Sequence, residues 1–112
     1  MVRTIELNGK EFEVNIGMAV FSSFLDKSGA TAEDLASGNL KFLMKEIFDI
    51  FAMGVRDAAR LKGKKKNIKW EDIADIVDQD DTAFAKIQEL VTEELGMVSE
   101  KLGGKAEDSG KS

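Results

Sequence analysis

The sequence predicts an α+β fold, mostly α, in which an N-terminal β-hairpin is followed by four to five helices packed around one long apolar central helix. Three observations favour it: strict alternation around Asn8-Gly9, helical spacing of apolar residues from Met18 onward, and a segment near residue 50 that is apolar on nearly every side. A chain of 112 residues suits one domain. We assign that domain to residues 1–102 and expect residues 103–112, which are polar, to form a disordered tail.

The hairpin is predicted over residues 3–16, where alternation matches the two-residue period of a strand and Asn8-Gly9 is a strong turn signal. A two-residue turn pairs Leu7 with Lys10. This register puts apolar side chains on one face and mainly acidic ones on the other. The apolar set is Ile5, Leu7, Phe12 and Val14. Because an isolated hairpin is marginally stable, we expect this face to pack on helices of the same chain or to pair with a partner.

Two short helices are predicted next. Apolar residues three to four apart predict a helix over about residues 18–27, which Gly29 ends. Thr31 with Asp34 is similar to a capping box, and it predicts one or two further helical turns that Gly38 ends.

The longest predicted helix, about residues 40–61, has an unusually wide apolar surface. Only four charged residues lie between Leu40 and Val55. Such a helix is either central in its own fold or shared with another chain, and we weigh the two interpretations equally. If it is shared, the candidate partner-binding or oligomer residues are Phe42, Phe48, Phe51 and Met53.

Charge is separated along the rest of the chain. Residues 56–69 carry seven cations and one acid, with an exposed loop predicted over residues 62–67. Two helices follow, over about residues 70–79 and after Thr82; residues 71–100 contain ten acids and one base. These segments either neutralise each other within one monomer or pair head to tail between copies, which builds rings or filaments. The candidate contact residues of the basic loop are Lys64, Lys65 and Lys66.

Composition disfavours catalysis. The chain has no Cys and no His, which excludes disulfides, thiolate nucleophiles and imidazole acid–base chemistry. We therefore expect no enzyme activity, no catalytic residue, no cofactor and no metal. Asp78, Asp80 and Glu89 have the spacing of a calcium loop, but its sixth position needs Gly and is Ala83.

We also expect neither nucleic acid nor a membrane as a partner. The lysine run beside Trp70 is opposed by a net charge of −5. No apolar stretch reaches the length of a membrane span, and no signal-peptide pattern is present. Together with the lack of Cys, this predicts a cytoplasmic protein.

The order of these segments resembles the tail assembly chaperones of long-tailed (siphophage-type) bacteriophages and prophages, over roughly residues 3–95. Four motifs carry the resemblance: Leu7-Asn8-Gly9-Lys10, Ile16-Gly17-Met18, Ala32-Glu33-Asp34-Leu35 and Trp70-Glu71-Asp72-Ile73. The long apolar helix lies between the last two. The Lys64 to Lys66 run has no counterpart in the family pattern.

The resemblance implies a helper protein in the bacterial host cytoplasm that is absent from the mature virion. It would bind the tape-measure protein as a homo-oligomer, keep it soluble and help recruit tail-tube subunits. Many members also have a longer frameshifted form that contacts the tail-tube protein, and the polar tail from Gly103 suits a linker to such an extension. The alternative is a small helical protein-interaction adaptor or regulator, unrelated to tails, that binds its partner one to one.

Overall fold

The computed structural model describes residues 2–38 and 40–103. Over this part of the chain it contains one antiparallel hairpin and five helices, so the predicted α+β, mostly α fold class is confirmed. The elements are β1 (Arg3–Leu7), β2 (Lys10–Val14), α1 (Met18–Ser28), α2 (Ala32–Ser37), α3 (Met44–Leu61), α4 (Trp70–Gln79) and α5 (Ala83–Lys101). Of the predicted tail, all but Gly103 lies outside the described residues.

The hairpin has the predicted register. Leu7 pairs with Lys10, and both turn residues have the positive φ that a type I′ turn requires, 52° at Asn8 and 78° at Gly9. Leu7, Phe12 and Val14 are buried and Ile5 is half-buried. The apolar face packs on α3 of the same chain, so it needs no partner to cover it.

One glycine lets the chain leaving the hairpin approach α3 closely. The Asn15 amide donates to the Gly54 carbonyl, with 2.9 Å between N and O. A Cβ atom on Gly54 would lie 2.5 Å from Cγ1 of Ile16 and 2.8 Å from Cγ1 of Val14, closer than atoms can pack. The absence of a side chain at this position therefore sets the distance between the hairpin and the helix.

The short helices begin and end at the predicted signals. At α2, the Asp34 amide donates to Oγ1 of Thr31 and the Thr31 amide donates to Oδ2 of Asp34, which completes the capping box. Gly29 and Gly38 follow α1 and α2 with φ of 81° and 73°, the left-handed conformation that stops a helix.

The central helix is shorter than predicted, because it begins at Met44 instead of near residue 40. Leu43 has an extended backbone, and its amide donates to Oε1 of Glu46 over 2.7 Å. The N-terminus of the helix is therefore capped by a side chain of its own first turn. Phe42 lies outside the helix and packs edge-to-face on Phe24, with ring centroids 5.2 Å apart.

The chain itself covers most of the apolar surface of α3; the exceptions are Met44 and Leu61 at its two ends, which are 61% and 53% exposed. β2, α1, α4 and α5 all pack against it. Phe51 is fully buried, and Phe48 and Met53 are 6% and 7% exposed. Phe48 meets Phe84 of α5 edge-to-face at 6.0 Å. Of the two interpretations of this helix, the structure therefore favours a core helix over one shared with another chain.

The hairpin is also tied to α4 and α5. Arg3 forms ion pairs with Glu93 and Glu94 of α5, at 2.8 and 2.9 Å. At the hairpin turn, the Asn8 amide donates to Oδ2 of Asp80, which follows α4. The first fourteen residues thus contact α3, α5 and the end of α4.

Candidate interaction surfaces

The four predicted apolar contact residues do not form a partner-binding surface. Phe48, Phe51 and Met53 are buried in the core, and Phe42 is half-buried against Phe24. The prediction placed them on a surface because spacing alone shows how apolar a helix is, not which elements cover it.

The predicted basic loop is exposed, and it lies along β2 of the hairpin. Lys64, Lys65 and Lys66 line a cleft of about 410 Å³ together with Glu11 and Glu13. At this cleft the ammonium of Lys62 lies 2.7 Å from Oε2 of Glu13, and Nζ of Lys66 lies 5.9 Å from the centroid of the Phe12 ring. The loop is therefore held against β2 and not against the acidic helices.

Part of the positive charge at this cleft is neutralised by an acid of the same chain. The hydrogen bond from Lys62, and then its charge, lower the pKa of Glu13, and the charges of Lys64 and Lys66 lower it further. Neither Lys64 nor Lys65 forms an ion pair within the described residues. Part of the positive charge of the loop is thus balanced by a glutamate of the hairpin. Neither of the two interpretations of the charge separation included this residue as a partner of the loop.

An apolar groove opens between the start of α1 and the end of α5. It has a volume of about 550 Å³, with buried Ile16 and Val98 lining it. Met18 and Met97 also line it and are 39% and 52% exposed. We call it the Met18–Met97 groove. Sequence reasoning missed it, although Met97 lies one position off the apolar stripe of α5 and was an available signal.

Carboxylates border this groove. Glu94 is only 5% exposed and is held by Arg3, whose guanidinium also pairs with Glu93. The hydrogen bond to Glu94, followed by the one to Glu93, raises the pKa of Arg3. Glu100 and Lys101 also line the groove, so its own lining has two carboxylates and one cation, and Arg3 and Glu93 line the neighbouring cleft.

A second apolar feature protrudes at the start of α3. Leu43 is 72% exposed and Met44 61%, which makes them the two most exposed of the large hydrophobic side chains described. Exposed Lys41 and Lys45 flank them in sequence. We call this pair the Leu43–Met44 knob. Adjacent exposed apolar side chains with a polar border are typical of protein contact sites.

The knob and the groove lie at opposite ends of the α1–α3 pair. At the start of α3, Lys27 near the end of α1 pairs with Asp49 at 3.3 Å. Toward the end of α3, Ala19 of α1 lines one cleft with Arg56. The two helices therefore run antiparallel, which places Met18 far from the start of α3.

Comparison with protein-family models, curated proteins and solved structures found no match. Within residues 2–38 and 40–103, no group of three or more metal-binding side chains is positioned to hold an ion. No helix in the described part of the chain has both the length and the apolar character needed to cross a bilayer.

Proposed function

We propose that this chain is a tail assembly chaperone of a long-tailed bacteriophage or prophage. In this role many copies bind along the tape-measure protein in the host cytoplasm and keep it soluble while tail-tube subunits are recruited. The copies then leave, so the mature virion lacks them. The choice of client comes from the resemblance in segment order, and the predicted hairpin, short helices, long apolar helix and acidic helical pair are all present.

The structural observation that supports a coat of many copies is the presence of two separate apolar surfaces on one small molecule. The Leu43–Met44 knob and the Met18–Met97 groove allow each copy to have two neighbours. Weak contacts between neighbours are multiplied when copies line one extended client. An enzyme or a one-to-one adaptor needs no such pair of surfaces.

The composition of the surface supports the same role. Three of the exposed large hydrophobic side chains are Met18, Met44 and Met97, and methionine adapts its shape to varied apolar partners. The net charge of −5 would keep a coated assembly in solution by mutual repulsion.

Co-expression with the tape-measure protein of the same phage tests the proposal. We expect the client to become soluble and to co-purify with several copies of this chain, counted by light scattering behind a sizing column. The matched control is the double variant Met44→Glu/Met97→Glu, in which both changes lie on exposed side chains. It should fold but hold fewer copies per client. A one-to-one complex would favour the adaptor, and no co-purification at all would end the chaperone proposal.

The frameshifted longer form is tested on the gene. A slippery heptamer near the end of the reading frame, followed by an overlapping frame, is the expected finding. The longer product should then be the form that binds the tail-tube protein, as pull-down of each form would show.

A further inference from the structure

The Leu43–Met44 knob is a preformed apolar protrusion. The Leu43 amide is held by Glu46, and the neighbouring Phe42 is packed on Phe24. On the other flank, Nζ of Lys45 lies 4.9 Å from the centroid of the Trp70 ring. The two apolar side chains therefore stay exposed on a backbone fixed from both sides, so little conformational entropy would be lost when they are buried.

The Met18–Met97 groove is complementary to this protrusion in both shape and charge. Its lining is apolar, its walls are flexible methionines, and carboxylates predominate at its border. The knob presents Leu43 and Met44 next to Lys41 and Lys45. Apolar side chains with cationic neighbours would enter a groove with acidic neighbours, which is the pairing that favours encounter and fixes orientation.

Room beside the groove supports close approach of another chain. Gly96 lies inside α5 next to Met97, and among the described residues no atom other than those of its chain neighbours and of the helix backbone lies within 4 Å of where its Cβ would be. A glycine inside a helix costs about 1 kcal/mol relative to alanine. Gly96 also lines a second cleft, of about 380 Å³, which shares Met97 and Glu100 with the groove. Met97 is thus a ridge with open space on both sides.

We infer that the Leu43–Met44 knob of one copy docks into the Met18–Met97 groove of a second copy. One molecule does not make this contact with itself, because both surfaces are exposed and Ile16 of the groove packs on Gly54, ten residues or about 15 Å along α3 from Met44. If two knobs paired with each other, Lys41 and Lys45 of one copy would lie against the same lysines of the other copy, and their charges would repel. The contact is therefore heterologous, and its repetition builds a row or a closed ring. The inference deepens the proposed function by assigning its self-association to two surfaces, and it rests on that function only for the client.

A complementation experiment on the full chain tests the inference. Met44→Glu removes the knob and keeps the groove, whereas Met97→Glu removes the groove and keeps the knob. We expect the wild-type chain to show a mass above that of a dimer that rises with concentration in analytical ultracentrifugation. Each variant alone should be a monomer. An equimolar mixture of the two should give one heterodimer and nothing larger, because only one knob and one groove remain.

Controls separate this outcome from loss of folding. Circular dichroism should be unchanged in both variants, since both side chains are exposed. Leu43→Glu and Met18→Glu should reproduce the knob and groove defects. Leu61→Glu, a matched change on a side chain that is 53% exposed outside both surfaces, should associate like the wild type.

Three results would overturn the inference. The first is a wild-type chain that stays monomeric at high concentration. The second is a dimer that both variants abolish and their mixture does not restore, which would indicate a symmetric contact. The third is a Met97→Glu variant that self-associates normally but no longer binds the tape-measure protein, which would give the groove to the client. If the mixture gives the heterodimer but no tape-measure protein co-purifies with the wild-type chain, the inference stands and the proposed function fails.

Discussion

Gly54 is the residue whose lack of a side chain matters most to the packing of the hairpin. Gly54→Ala would bring a methyl group to within 2.5 Å of Ile16, so either the chain after the hairpin or α3 must move. We expect a loss of about 1–3 kcal/mol in the free energy of unfolding. Urea denaturation followed by circular dichroism measures it.

Gly96→Ala is the matched control for this change. It lies in a helix interior with open space around it, so the same methyl group should stabilise the monomer by about 0.5–1 kcal/mol by reducing the freedom of the unfolded chain. If the two variants lost equal stability, the close approach at Gly54 would not be the cause.

Asp80 makes the stability depend on pH. The Thr82 hydroxyl, the Asn8 amide and the Thr82 amide donate to its carboxylate and lower its pKa from the usual 3.8. Its stabilising contribution is therefore complete above the usual pKa and is lost as the pH falls through the lowered one. Asp80→Ala should be less stable than the wild type at neutral pH.

The two stability curves should converge at acidic pH, because protonated Asp80 no longer gains from these hydrogen bonds. Urea denaturation across a pH series checks this. The difference in the free energy of unfolding between wild type and variant could instead stay constant down to the lowest pH. That result would mean that the ionised carboxylate of Asp80 is not the form that stabilises the hairpin turn.

At the level of single residues, local signals were sufficient where local geometry decides. The Asn8-Gly9 turn and the Thr31 cap were predicted from the sequence because each needs only residues a few positions apart. Burial of Glu94 was not predictable, since it depends on Arg3, which lies 91 residues away in the sequence.

At the level of elements, α3 determines whether the chain folds. Phe51→Ala should cost about 3–5 kcal/mol because the side chain is fully buried. That loss is a large share of the stability of a domain this size. Met44→Glu in the same helix should leave thermal unfolding nearly unchanged, since Met44 is 61% exposed and an acid is favourable at a helix start. Thermal melts of both variants compare them directly.

A Phe51→Ala variant that melts like the wild type would contradict the central position of α3. The sequence alone allowed either a core helix or a shared one, because the apolar pattern records what a helix needs to bury and not what buries it. The covering faces come from β2, α1, α4 and α5, whose arrangement around α3 is a tertiary property.

At the level of the whole molecule, the separation of charge along the sequence does not translate into two free poles. The basic loop is folded onto the hairpin, where the ion pair between Lys62 and Glu13 neutralises part of the positive charge. The triple variant Lys64→Gln/Lys65→Gln/Lys66→Gln should therefore keep the self-association of the wild type. Ultracentrifugation at matched concentration and salt measures it.

Dissociation of that triple variant would favour assembly driven by the lysine loop. It would then be the loop and the exposed acids of α4, and not the Leu43–Met44 knob, that join copies. The acids concerned are Glu71, Asp75 and Asp78, which form no ion pair with other described residues.

The ties between the hairpin and α5 also determine when folding can finish. During synthesis residues 3–14 leave the ribosome first, and the turn at Asn8-Gly9 forms locally. Arg3, however, can pair with Glu93 and Glu94 only after some ninety more residues have been made. Contacts between such distant positions close slowly. The native fold is therefore completed only after α5 has left the ribosome, and until then Arg3 lacks its two partners on that helix.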